Sequence, residues 1–280
     1  MKYTIGFIVF ILGFSSGWAK DHNPYEMTRS EVVQLTQNGT DRQYELYIRL
    51  PEAYHEDKNK KFPVIYTTDG KWQMNTLVGT TEYIIPDAIV VGISWQTNFP
   101  HEREYASRFR DYSFMPATKR QAERSSIPRN GARDHLRFIR EQVISYLESN
   151  YRVDSNNRTF FGYSMGGEFG SYTLLEKPDT FHNYIIGSPD FAQRDLDFLD
   201  RLEKQKSQEQ KNVNVNIYIS IGELETKRMK VVQDFTAVLK RRDQTKFKVT
   251  GLEVMKNSTH TTAFPWTVVH SITWLSGVLK

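Results

Sequence analysis

The chain has 280 residues, 39% hydrophobic and 25% charged, and its 16 glycines and 10 prolines are too few for a fibrous or low-complexity protein. A net charge of +4 does not by itself point to nucleic acid, whose binders concentrate basic charge on one face or tail, and no nucleic-acid partner is expected. The absence of cysteine excludes disulfide scaffolds, thiolate zinc sites, iron–sulfur clusters and cysteine nucleophiles.

At the start of the chain, Lys2 precedes a ten-residue apolar run from Ile5 to Phe14, and Gly17 and Ala19 put small residues at the positions a signal peptidase reads. This pattern predicts a signal peptide over residues 1–19. The run falls far short of the ~20 apolar residues that a spanning helix needs. The expected product is an exported, periplasmic or secreted protein without a membrane span, in which residues 20–280 form a single domain.

Tyr44 to Leu50 alternates and stops at Pro51, as a half-exposed strand does. Pro63 to Thr68 and Ala88 to Ile93 are short apolar runs without alternation, which predict central strands covered on both faces. The first of them meets a turn at Asp69-Gly70. From Ser94 to Gly131 no period survives, and irregular stretches of that length tend to be functional. Leu136, Ile139, Val143 and Tyr146 then mark a helix, Arg158 to Gly162 a strand, and Gly166 to Glu176 a helix stopped by Pro178. Val213 to Ile219 alternates into a strand ending at Gly222; Val231 to Leu239 reads as a helix, Lys248 to Met255 as a strand and Pro265 to Leu279 as a last helix. The alternation of strands and helices predicts a mostly parallel central sheet with helices on both faces. The one insertion with room for a lid, Gln193 to Asn212, is short and highly charged, so no large lid is expected.

Gly162-Tyr163-Ser164-Met165-Gly166 fits G-x-S-x-G in the right context, with a strand running into it and a helix leaving it. The glycines have a steric reason: side chains two positions either side of the serine would meet the neighbouring strand and helix. The turn lifts the hydroxyl clear of the sheet and aims the first amides of the helix at the same spot. Ser164 is the candidate nucleophile.

A serine hydroxyl needs a base, and on this kind of sheet the partners follow in the order serine, acid, histidine. Three histidines follow Ser164. His182 comes too early, and His270 sits between Trp266 and Trp274 on a helix face. His260, in the polar loop between the last strand and last helix, is the candidate base. The acid belongs at the end of the preceding strand, where Glu223 and Glu225 both qualify by position.

Taken together, Lys61 to Tyr66 before Asp69-Gly70, Phe138 to Arg140 followed by Tyr151-Arg152, Gly162 to Gly167, Ser188-Pro189, Gly222 to Glu225 and His260 resemble the esterase D-like family of α/β-hydrolases. That family includes siderophore esterases, feruloyl and acetylxylan esterases, S-formylglutathione hydrolases and mycolyltransferases. The resemblance runs from about Tyr44 to the C-terminus and implies the α/β-hydrolase fold. It favours Glu225 as the acid and an oxyanion hole made by the amide of Met165 with that of Gly70 or Lys71. It also implies hydrolysis through an acyl-enzyme, needing neither metal nor organic cofactor, on a small-molecule ester. The sequence departs from the siderophore-esterase pattern at Asp190, where those relatives carry a second serine.

Between His101 and Arg133 eight basic residues stand against four acidic ones. The resemblance places this region beside the pocket, which makes Trp72, Arg108, Arg110, Tyr112 and Arg129 candidate substrate-binding residues, with Trp95 and Phe114 as further aromatic walls. Such a rim suits an anionic or aromatic ester, a catecholate trilactone among them. An acyltransferase and a feruloyl or acetyl carbohydrate esterase share every one of these parts. A non-catalytic binding module would have no physical need to keep Ser164, His260 and Glu225 together.

Overall fold

The computed structural model describes residues 26–279, so the predicted signal peptide lies outside the described residues. Eight strands form one sheet: β1 (Ser30–Thr36), β2 (Gln43–Arg49), β3 (Phe62–Thr67), β4 (Ile89–Ile93), β5 (Val153–Tyr163), β6 (Asn183–Gly187), β7 (Val215–Gly222) and β8 (Phe247–Met255), in the order β1-β2-β4-β3-β5-β6-β7-β8. The β1–β2 and β2–β4 pairs are antiparallel and every other pair is parallel. This is the expected α/β-hydrolase arrangement. Every residue of β4 is buried, and every residue of β3 but Pro63, which explains why these strands read as unbroken apolar runs. β2 alternates because it lies between the central strands and the largely exposed β1.

The helices are α1 (Gly70–Ile84), the short α2 (Arg108–Asp111) and α3 (Lys119–Arg124), α4 (Ala132–Phe138), α5 (Ile144–Asn150), α6 (Met165–Glu176), α7 (Gln193–Lys206), α8 (Thr226–Leu239) and α9 (Ala263–Val278). A π-helical turn over Ile139–Val143 joins α4 to α5. One face of the sheet is covered by α1 and α9, through Met74, Leu77, Val78, Val268, Ile272 and Leu275. On the other face α4 to α8 bury Leu136, Ile144, Phe169, Leu196 and Val232 among others. The charged segment considered as a lid position is α7. Its Leu196, Leu199 and Leu202 are buried in the core, so it is a packed layer of the fold. No helix among the described residues is long and apolar enough to cross a membrane.

β1, α1, α2, α3, β6 and α7 went unread in the sequence. β1 exposes most of its residues, and an edge strand wetted on both faces carries little alternation. α1 begins at Asp69-Gly70, which reads locally as a turn. Asp69 does adopt the left-handed conformation (φ 55°), but the chain then enters a helix.

The carboxyl ends of β3, β5, β6, β7 and β8 lie on one edge of the sheet because these strands are parallel. The segments that follow them carry Gly70, Ser164, Ser188, Glu225 and His260 respectively, so the topology gathers residues separated by up to 190 positions in sequence.

Candidate active site

Ser164 caps α6 with φ 58° and ψ −122°, a region that side-chain-bearing residues rarely occupy. The turn is held by the Ser164 amide donating to the Gly187 carbonyl and by the Glu168 and Asp190 amides donating to the Ser164 carbonyl. The glycines of the motif are sterically required. A Cβ on Gly162 would lie 2.2 Å from the Gly166 carbonyl oxygen, and one on Gly166 would lie 2.4 Å from Thr68 Oγ1. The second figure also shows how tightly the end of β3 is laid against the first turn of α6. Thr68 is β-branched and buried, so it has little room to yield. Gly166→Ala should therefore cost stability of about 1–3 kcal/mol. By displacing the Thr68–Gly70 turn from Ser164, it should also lower kcat/KM by roughly 10²-fold. Thermal melts and ester turnover on the same preparation check both effects.

His260 Nε2 lies 2.9 Å from Ser164 Oγ, and His260 Nδ1 lies 2.7 Å from Glu225 Oε2. The other carboxylate oxygen, Oε1, accepts from Ser188 Oγ at 2.7 Å and from the Gly222 amide at 2.9 Å. Burial pushes the Glu225 carboxyl up, but the hydrogen bonds from His260, Ser188 and Gly222 outweigh it and hold the group below the usual glutamate value. An ionised Glu225 accepts from all its partners, which leaves the proton of His260 on Nδ1 and a free lone pair on Nε2 facing the serine hydroxyl.

Glu223 takes no part in this chain. Its carboxylate accepts from the Asn257 amide and from Lys256 Nζ, both at 2.8 Å, and so staples the turn that leads into the His260 loop. Tyr163 holds the same loop from below, its hydroxyl donating to the His260 carbonyl at 2.6 Å. Of the two remaining later histidines, His182 is half-buried and lies away from this cluster, and His270 pairs with Glu253 on the surface. Ser188 and Tyr163 are contributors that sequence reasoning did not assign. Ser188-Pro189 appeared there only as a family marker.

The amides of Gly70, Lys71 and Met165 make no hydrogen bond to another described residue, and they flank the Thr68–Gly166 contact. The turn that presents Gly70 and Lys71 is built on a buried carboxylate. Asp69 Oδ1 accepts from Trp95 Nε1 at 2.6 Å and from Arg108 Nε at 2.9 Å, and Oδ2 accepts from Arg108 Nη2 at 2.7 Å. The Asp69 amide donates to the Tyr112 hydroxyl at 3.2 Å.

This network corrects most of the expected substrate-binding set. Arg108 is buried and spends its guanidinium on Asp69, and Tyr112 is buried beneath the same turn. Arg110 is also buried, paired with Asp111 and donating to Tyr44 and Gln96. Trp95 and Phe114 belong to the core, the latter stacked between Tyr172 and Phe198. Their clustering in sequence reflects a buried polar and aromatic layer under the site, not its rim. Trp72 remains half-exposed, edge-on to Trp95 and packed against Tyr105. Arg129 is partly exposed and rests on the Phe109 ring. It lines a cleft of about 450 Å³ next to the nucleophile turn, whose walls include Phe109, Met165, Glu168, Asp190, Lys227 and Arg228.

The family model described as "Putative esterase" matches residues 37–268. The chain belongs to this esterase family. Over 205 residues the esterase is 29% identical to the ferri-bacillibactin esterase BesA of Bacillus subtilis (strain 168), covering 66% of its own chain and 69% of that relative. Its fold is similar to that of the BES protein from Bacillus cereus (TM-score 0.76, 19% identity, 91% of this chain and 98% of that one). It is also similar to that of the siderophore hydrolase EstA from Aspergillus nidulans (TM-score 0.74, 18% identity, 94% and 99%). Membership of the family makes the esterase a carboxylic ester hydrolase acting on a small-molecule ester.

Proposed function

We propose that the esterase is an exported serine hydrolase in which Ser164, His260 and Glu225 act as nucleophile, base and acid, and that its natural substrate is an anionic, aromatic ester of the siderophore kind. The observation that carries the mechanism is the unbroken chain of short contacts from Ser164 Oγ through the His260 ring to Glu225. Ser164 attacks the ester carbonyl while His260 Nε2 takes its proton. The carbonyl oxygen, now negative, is stabilised by the amide of Met165 together with that of Gly70 or Lys71. The protonated His260, stabilised by Glu225, then gives its proton to the leaving alcohol. Water repeats the sequence on the acyl-enzyme and frees Ser164. Export rests on Lys2, the apolar run and Gly17 to Ala19.

The substrate reading is supported by the names of the relatives, a ferri-bacillibactin esterase and a siderophore hydrolase, and by the charge of the cleft. There Arg228 is paired with Asp190 and Arg194 with Asp195, while Arg129 and Lys227 have no acidic partner among the described residues. Uncompensated cations draw in anions, over a Debye length of ~8 Å at physiological salt. Raising salt from low to physiological strength should lower kcat/KM for a catecholate lactone and leave that for p-nitrophenyl butyrate almost unchanged. Substituting Arg129 and Lys227 by glutamine should remove the difference. Equal salt profiles for the two esters in the wild-type protein would contradict the anionic reading. Adding an alcohol acceptor to the assay separates hydrolysis from acyl transfer.

A further inference from the structure

Glu168 is a carboxyl-bearing residue in the first turn of α6, 93% buried, and it lines the cleft beside Met165. Its side chain has neither an ion-pair nor a hydrogen-bond partner among the described residues, although four cationic side chains border the same cleft. Nothing in the proposed acyl transfer uses it. A buried carboxylate left without a partner is costly, and a neutral carboxylic acid is the form such a position tolerates.

The groups around Glu168 come from every wall of the cleft. Asp190, after β6, and Asp195, on α7, bring negative charge; Arg129, before α4, and Arg108, on α2, bring positive charge. Arg194 on α7 and Lys227 and Arg228 on α8 complete the lining. On the core side, His135 of α4 faces Phe169, the next residue of α6. Arg108 is committed to Asp69, Arg228 to Asp190 and Arg194 to Asp195, so they leave little attraction to spare for Glu168. Burial, reinforced by Asp195 and Asp190, lifts the Glu168 carboxyl well above its ordinary range, against the pull of Arg129 and Arg108.

We propose that Glu168 is a specificity-determining residue, which meets one arm of the ester as a neutral carboxylic acid and donates a hydrogen bond to an anionic group that Arg129 and Lys227 attract. The inference rests on the anionic reading of the substrate given above. Once ionised, Glu168 loses its donor and repels the same anion, so selectivity for anionic esters is present at low pH and is lost as pH rises through the Glu168 titration.

The test uses two matched pairs of esters. One varies the acyl arm, the p-nitrophenyl monoester of adipic acid against p-nitrophenyl hexanoate. The other varies the alcohol arm, the butyryl ester of 4-hydroxybenzoate against that of its methyl ester. The ratio of kcat/KM within a pair cancels every pH effect common to both esters and isolates the response to charge. In wild-type protein the anionic-to-neutral ratio of at least one pair should fall roughly tenfold as pH is raised through the Glu168 titration, which lies above the ordinary glutamate range. Glu168→Gln should hold the ratio flat near its low-pH value, and Glu168→Leu should hold it flat and low. An independent reading comes from stability. A folded-state pKa raised above the unfolded value means that wild-type stability falls as pH rises between the two. Glu168→Gln should therefore gain in melting temperature over the wild type as pH is raised. A ratio well above one that ignores both pH and Glu168→Gln would overturn the role of Glu168 and leave the anionic substrate standing. Ratios near one throughout, for both pairs, would overturn the anionic reading and this inference with it. A melting difference independent of pH would show that Glu168 is ionised in the folded protein, which also overturns the proposal.

Discussion

Ser164→Ala is expected to leave a folded protein whose ester turnover falls by roughly 10³-fold or more, with His260→Ala falling about as far and the double variant hardly further. The reason is that the two side chains act as one unit. With Ser164 gone, the lone pair at His260 Nε2, 2.9 Å from where the hydroxyl stood, has no nucleophile to activate. With His260 gone, the hydroxyl keeps its proton at neutral pH and is a poor nucleophile. Residual turnover in either variant comes from the backbone amides around the carbonyl. Neither substitution disturbs the packing: Ser164 and His260 are only partly buried, and the elbow is held by backbone hydrogen bonds to Gly187, Glu168 and Asp190 that alanine retains. Melting temperatures measured beside the kinetics separate loss of chemistry from loss of fold. Additive losses in the double variant would mean that the two residues act independently.

Glu225→Gln should cost roughly 10³-fold in kcat/KM, and Glu223→Gln far less. The geometry around Glu225 makes the amide substitution more damaging than its size suggests. Oε1 receives two hydrogen bonds, from the Gly222 amide and from Ser188 Oγ, and the backbone amide can only donate. The glutamine carbonyl must therefore take that side, which turns the NH2 group toward His260 Nδ1. A donor there forces Nδ1 to accept, moves the imidazole proton to Nε2 and leaves no lone pair for the serine proton. Glu223→Gln keeps an acceptor for the Asn257 amide and loses only an exposed contact with Lys256, so the His260 loop stays in place. The Glu225 interactions also carry a pH signature. Its folded-state pKa is depressed, so the stability they contribute is complete above the ordinary glutamate value and is lost as pH falls through the folded value. The melting temperature of Glu225→Gln should accordingly approach that of the wild type in acid. If Glu223→Gln proved the more damaging variant, the acid role would pass to that residue.

The strands β3, β4, β5, β7 and β8 and the elbow were legible in the sequence because their signals are local. β4 buries every residue and β3 all but Pro63, and the elbow glycines are demanded by contacts close along the chain or by the adjoining strand. His260 followed from its position in a polar loop after the last strand. The choice between Glu223 and Glu225 was not local: two residues apart, one faces Ser188 and the imidazole while the other faces Asn257 and Lys256, a distinction fixed by the turn after Gly222. The basic stretch misled for a related reason. Arg108 pairs with Asp69, 39 positions away, and Arg110 donates to Tyr44, 66 positions away. Composition counts such arginines as free surface charge, whereas the fold buries them under the site. Glu168 was hidden in the same way, as an ordinary polar residue after the motif glycines until the cleft gave it a direction.

The most direct test of the account is to identify the covalent intermediate. Rapid acid quenching of the esterase with p-nitrophenyl butyrate, followed by proteolysis and mass analysis, should find a butyryl group on the peptide carrying Ser164. Its formation should match a burst of one p-nitrophenol per chain, and both should vanish in Ser164→Ala. A burst that persists in Ser164→Ala, or a butyryl group on another residue such as Ser188, would contradict the assignment of Ser164 as the nucleophile.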